Sequence, residues 1–196
     1  MLQALTHTCA AALTALALGW SAPSLAADPN PPVVTEQEVK VERADGGFSI
    51  DLTMHARVPI SLAWAVLTDF DRMAEFIPNL SHSQVLHRNE NLLMISQRGK
   101  AHWGPLTMNF ESVREVTLVP QREISTHGLS GTVKRVDSSM TLEPEGDGTR
   151  LRYHTEVEPG SWFPPLLGPA KVRQETAAQF NAIVQEMQRR LAVLEH

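Results

Sequence analysis

Residues 58–80 read Val58-Pro59-Ile60-Ser61-Leu62-Ala63-Trp64-Ala65-Val66-Leu67-Thr68-Asp69-Phe70-Asp71-Arg72-Met73-Ala74-Glu75-Phe76-Ile77-Pro78-Asn79-Leu80. The stretch predicts a strand end, a short helix, an Asp-initiated second helix and a Pro-marked exit into another strand. Pro59 stands where a first helical turn tolerates it, just before Ile60. Leu62, Val66 and Leu67 have helical spacing, with Trp64 one position off that stripe. Asp69 is placed to cap the second helix, and Pro78 stops it.

The chain on either side reads mostly as strands. Upstream, Phe48, Ile50, Leu52, Met54, Ala56 and Val58 alternate with polar residues, which predicts a long half-buried strand. Residues 34–43 are β-branched and charged in loose alternation, and the turn Ala44-Asp45-Gly46-Gly47 would let them form a hairpin with that strand. Downstream, six segments read as strands, at about 80–88, 91–100, 105–118, 121–127, 132–143 and 149–158. Short polar turns between them predict an antiparallel meander. On the last strand Arg152, His154, Glu156 and Glu158 share one face, so one side of the sheet should face water. A helix is predicted over about 167–195, with Val172, Thr176, Phe180, Ile183, Met187, Leu191 and Leu194 as its apolar stripe.

The first 26 residues contain no Lys, Arg, Asp or Glu, and an apolar run is followed by Ser24-Leu25-Ala26. Small residues at the −3 and −1 positions fit a signal-peptidase site after Ala26, although the n-region has no Lys or Arg. A buried N-terminal helix is the other reading. Export would place the mature protein in the periplasm or outside the cell. Residues 27–46 follow as a Pro-rich leader with a potential extra strand, then one domain over 47–196. Cys9 is the only cysteine and lies inside the signal segment 1–26, so the mature chain would have no disulfide and no thiolate site. A net charge of −5 without a basic block argues against a nucleic-acid partner.

The segment Pro59…Trp64-Ala65-Val66-Leu67-Thr68-Asp69…Phe76-Ile77-Pro78 resembles the signature of START-like (SRPBCC) domains, the superfamily of polyketide cyclases and coenzyme Q-binding proteins. The element order is similar too, and the resemblance covers about residues 47–195. It implies an α+β helix-grip fold: a curved seven-stranded antiparallel sheet around a long C-terminal helix, with two short helices after the first strand. It also implies an apolar cavity.

In a meander, alternate connections gather at opposite ends. The connections at 99–105, 128–131 and 159–167 share one end, and they carry Trp103, Leu129, Trp162, Phe163, Leu166 and Leu167 among glycines and prolines. Such residues either rim a mouth or close the end over the core. In START-like proteins these connections surround the cavity entrance. A Trp-bearing rim would also suit transient contact with a membrane. Met94, Met108, Phe110, Tyr153, Phe180 and Ile183 are the inward residues expected to meet a ligand, with Trp103, Leu129, Trp162 and Phe163 at the rim. Ordinary core filling would use the same residue types.

Motifs for chemistry are sparse. The eight histidines form no His-x-His or His-Glu-x-x-His pattern. His55 and His154 should face solvent, and His102 and His127 lie beside the proposed mouth. Asp69 reads as a helix cap and Asp71 as a first-turn acid that suits the helix dipole. No nucleophile elbow, P-loop or dinucleotide fingerprint occurs, and no cofactor or metal is expected. The expected function is non-catalytic carriage of a hydrophobic small molecule such as a lipid or quinone. A cyclase- or aromatase-like enzyme and a protein-interaction module are the alternatives.

Overall fold

The computed structural model describes residues 33–195 except Asp45, residues 104–105 and residues 161–167. The expected signal segment at 1–26 and Trp162 and Phe163 lie outside the described residues. So does the side chain of Trp103.

The described elements are β1 (Lys40–Ala44), β2 (Gly47–Ala56), α1 (Ile60–Leu67), a 3₁₀ turn at Phe70–Glu75, β3 (Leu80–Asn89), β4 (Leu92–Trp103), β5 (Leu106–Val119), β6 (Glu123–Gly131), β7 (Arg135–Glu145), β8 (Gly148–Glu158) and α2 (Pro169–Leu194). All strand pairs are antiparallel, in the order β1-β2-β8-β7-β6-β5-β4-β3. Among the described residues the sheet thus has eight strands rather than seven, because β1 pairs with β2 along Lys40↔Asp51 to Ala44↔Gly47.

Alternation sets the two faces of the sheet. Phe48, Ile50, Leu52, Met54 and Ala56 of β2 are all buried, and Ser49, Asp51, Thr53 and His55 between them are not. The outer face is wet and cross-paired: Arg152 donates to Glu143 at 2.8 Å, Arg135 to Glu156 at 2.8 Å, and His154 meets Asp51 at 2.8 Å. The inner face is covered by α2, which buries Ala177, Phe180, Ile183, Val184 and Met187. Each large apolar side chain so buried contributes about 1.5–3 kcal/mol relative to exposure. Leu194, expected on this stripe, is 73% exposed, because the helix there has run past its cover.

In the connection that decides the fold, Asp71 does lie in the first turn of the 3₁₀ segment, but the cap expected of Asp69 is not formed. Helix α1 begins after Pro59, whose carbonyl accepts from Leu62 and Ala63 at 2.9 and 3.0 Å. The Asp69 carboxylate makes no capping bond; it accepts from Arg190 of α2 at 2.7 Å. Arg190 also donates to Glu186 at 2.7 Å. Asp71 accepts the backbone amide of Val85 at 2.7 Å, next to a bulge in β3. Both carboxylates therefore join the crossover to distant elements.

Candidate functional site

A cavity of about 440 Å³ lies between α2 and the inner face of the sheet. That volume falls within the range of ordinary small-molecule sites. Its inner wall is apolar, with Leu67, Phe70, Met73, Ile95, Ile124, Met140, Phe180 and Ile183 all buried. The exposed lining residues Pro78, Asn79, Glu111 and Gln179 mark its opening, beside Thr132 and Val133 of the β6–β7 connection. Two hydrogen-bonded contacts brace this opening. Asn79 donates to Glu175 of α2 at 3.1 Å, and the Glu111 amide donates to the Thr132 hydroxyl at 2.8 Å. Asn79 has φ 66°, a left-handed conformation that asparagine adopts more readily than most residues.

Across the middle of the inner face runs a row of polar side chains. Register pairs link Gln97 to Ser112, and Thr126 through Ser138 to Thr155. Gln97, Ser112, Thr126 and Ser138 all line the cavity, with Arg114 and Tyr153 beside them. Gln97 is fixed by donating to Ser83 at 2.9 Å and to the Met73 sulfur at 3.4 Å. The Tyr153 ring rests against Phe180, with centroids 4.8 Å apart. Burial pushes the Tyr153 phenol above its usual value, against hydrogen bonding with Thr155 and Ser138 and the nearby Arg114 charge.

Arg114 stands out in this row. It follows Phe110 and Ser112 on the inward face of β5, and its neighbours there, Val116 and Leu118, are buried core residues. Its Nε is fully buried and has no hydrogen-bond partner among the described residues. Burial pushes the guanidinium below the usual arginine value, with Tyr153 acting in the opposite sense. A buried guanidinium nitrogen without a partner is unfavourable, so the cavity carries a polar demand in an apolar setting.

The model for the family described as polyketide cyclase / dehydrase and lipid transport matches residues 57–183. The chain belongs to this family. Solved structures agree on the fold. This START-like chain is similar to a STAR-related lipid transfer protein from Xanthomonas axonopodis, with a TM-score of 0.67 and 16% identity, over 76% of this chain and 92% of that one. It is similar to the Zhui aromatase/cyclase from Streptomyces sp. R1128, with a TM-score of 0.59 and 17% identity, over 73% and 94%. A START superfamily protein from Mycobacterium smegmatis gives a TM-score of 0.58 at 15% identity, over 74% and 98%. No curated protein matches the sequence.

Of the residues expected to meet a ligand in this START-like domain, Phe110, Tyr153, Phe180 and Ile183 line the cavity. Met94 does not, because Leu93 and Ile95 on either side point inward and put it on the opposite face. Met108 shares the face of Phe110 but lies nearer the start of β5, outside the lining. Leu129 is 47% exposed. It is the unpaired residue of a bulge, where Val113 and Arg114 pair with Ser130 and Gly128. Residues 128–131 are therefore the end of β6 rather than a connection. Glycine still matters at this end, since a Cβ on Gly131 (φ 146°) would lie 2.3 Å from the Glu111 carbonyl oxygen. No sequence motif marks the polar row. The signal was parity: Arg114 falls on the apolar phase of β5.

Proposed function

We propose that this chain is an exported, non-catalytic carrier that buries a hydrophobic small molecule in the cavity under α2. The carrying observation is a cavity of about 440 Å³ with a buried apolar wall and a braced opening. At about 25 cal/mol per Å² of apolar surface removed from water, a lipid or quinone tail would gain several kcal/mol on entry. Export by the signal segment at 1–26 would set it to work in the periplasm. The family description includes lipid transport. The neighbour from Xanthomonas axonopodis is described as a lipid transfer protein.

The polar row favours a second reading, a cyclase-like enzyme in which Tyr153 and Arg114 orient a substrate, as the aromatase/cyclase neighbour invites. One experiment separates the two. The protein is purified from the periplasm of its own cell, and what it holds is identified by native mass spectrometry and organic extraction. A carrier returns an apolar compound unchanged. Thr126→Phe, which fills the cavity, should abolish loading, and Met94→Lys on the opposite face should not. Well-folded protein that takes up nothing from lipid and quinone mixtures would sink the carrier reading. Release of a chemically altered ligand would favour the enzyme.

A further inference from the structure

We propose that the ligand is an amphiphile with a single carboxylate head, and that Arg114 receives that head within the cavity. This rests on the cavity reading above and deepens it.

Among the described residues, no carboxylate or other acceptor meets the guanidinium, and its Nε is sealed from solvent without a partner. Arg114 is also the one cation among the described lining residues. The two acidic lining residues, Glu111 and Glu175, belong to the opening, and Glu175 is already held by Asn79 and by Lys171 at 2.6 Å. Arginine stays charged in proteins, so the folded domain holds a positive charge that the described side chains leave unanswered. A ligand anion would answer it. The planar guanidinium matches a carboxylate as a two-point fork, and such a pair is strong where water is excluded.

Charge number favours the carboxylate over a phosphate monoester. One arginine balances one negative charge, and a phosphate carries nearly two. Ser112, Thr126, Ser138 and Tyr153 are neutral hydroxyls beside Arg114, suited to the remaining carboxylate lone pairs. Ile124, Met140 and Ile183 offer the apolar body its place.

The test measures binding of dodecanoate, dodecanol and dodecyl phosphate to delipidated wild type and to Arg114→Met. Wild type should bind dodecanoate at least tenfold more tightly than dodecanol. Arg114→Met should lose that preference and keep its affinity for dodecanol. If the variant does not fold, the wild-type ratio alone decides. Equal affinity of wild type for dodecanoate and dodecanol overturns the role of Arg114 and leaves the carrier reading standing. Tighter binding of dodecyl phosphate than of dodecanoate overturns the carboxylate assignment. Binding of none of the three overturns the cavity reading and this one with it.

Discussion

Asn181 on α2 holds Val34 by both of its backbone groups: its side-chain oxygen accepts the Val34 amide at 2.9 Å, and its Nδ2 donates to the Val34 carbonyl at 2.7 Å. The side-chain amide acts here as a neighbouring strand would, and the chain ahead of β1 is pinned to the helix. Val34 and Val39 are buried as a result, each only 1% exposed. Two hydrogen bonds, at about 1 kcal/mol each, should make Asn181→Ala about 2 kcal/mol less stable in urea unfolding. Limited proteolysis should then cut between residues 33 and 44 faster than anywhere in the sheet. An unchanged cleavage pattern would show that the clamp does not hold this segment.

Arg114 offers the opposite sign. Replacing a half-buried guanidinium whose Nε is sealed without a partner by an apolar side chain of similar length removes a desolvation cost without leaving a new orphan. Arg114→Met should therefore stabilise the ligand-free protein, by about 1–2 kcal/mol. Chemical unfolding of delipidated protein measures this, and a destabilised variant would contradict the description of the guanidinium as unpaired.

Asn79 separates backbone from clasp. Glycine adopts φ 66° without strain, so Asn79→Gly keeps the local conformation and deletes only the bond to Glu175. Stability should change by less than about 1 kcal/mol, as for a single exposed polar contact. Ligand exchange should become several-fold faster, read by stopped-flow fluorescence. Unchanged rates would mean that entry does not pass between β3 and α2.

Glu186 should govern acid stability. Hydrogen bonds and charge from Arg189 and Arg190 hold its carboxyl down at about 2, from an ordinary value of 4.5. A depressed carboxyl stabilises the fold above its unfolded value and loses that contribution as pH falls through the folded one. The loss should run from about pH 4.5 down to about pH 2. Because Arg189 is 58% exposed, solvent screening limits the contribution to about 2 kcal/mol. Glu186→Gln should cost about that much at neutral pH and nothing near pH 2, as measured by urea unfolding across the range.

Much of this was legible from short-range pattern. The alternation in β2, the polar turns and the stripe of α2 are local signals, and the structure places elements within a few residues of them. Pairings across the chain were not legible. Asp69 looked like a cap because the sequence beside it shows helix positions and not Arg190, which is 121 residues away. Leu129 looked like a rim residue because a bulge, which shifts the phase of one strand against its neighbour, leaves no mark in alternation. Arg114 was readable by parity, but a charged residue among inward positions is visible only once the strand phase is trusted over residue type.

The strand order has a consequence for how the chain folds. Strands β3 to β8 pair with their neighbours in sequence, whereas β2 must find β8, matching Phe48 with Val157. The near-neighbour hairpins close small loops and form early. The β2–β8 seam closes a very large one and waits. Because α2 follows β8 and forms one wall of the cavity, the early meander has strands but no enclosed interior. During synthesis from the amino end, the ligand site therefore comes into being last, when the seam has closed and α2 has docked.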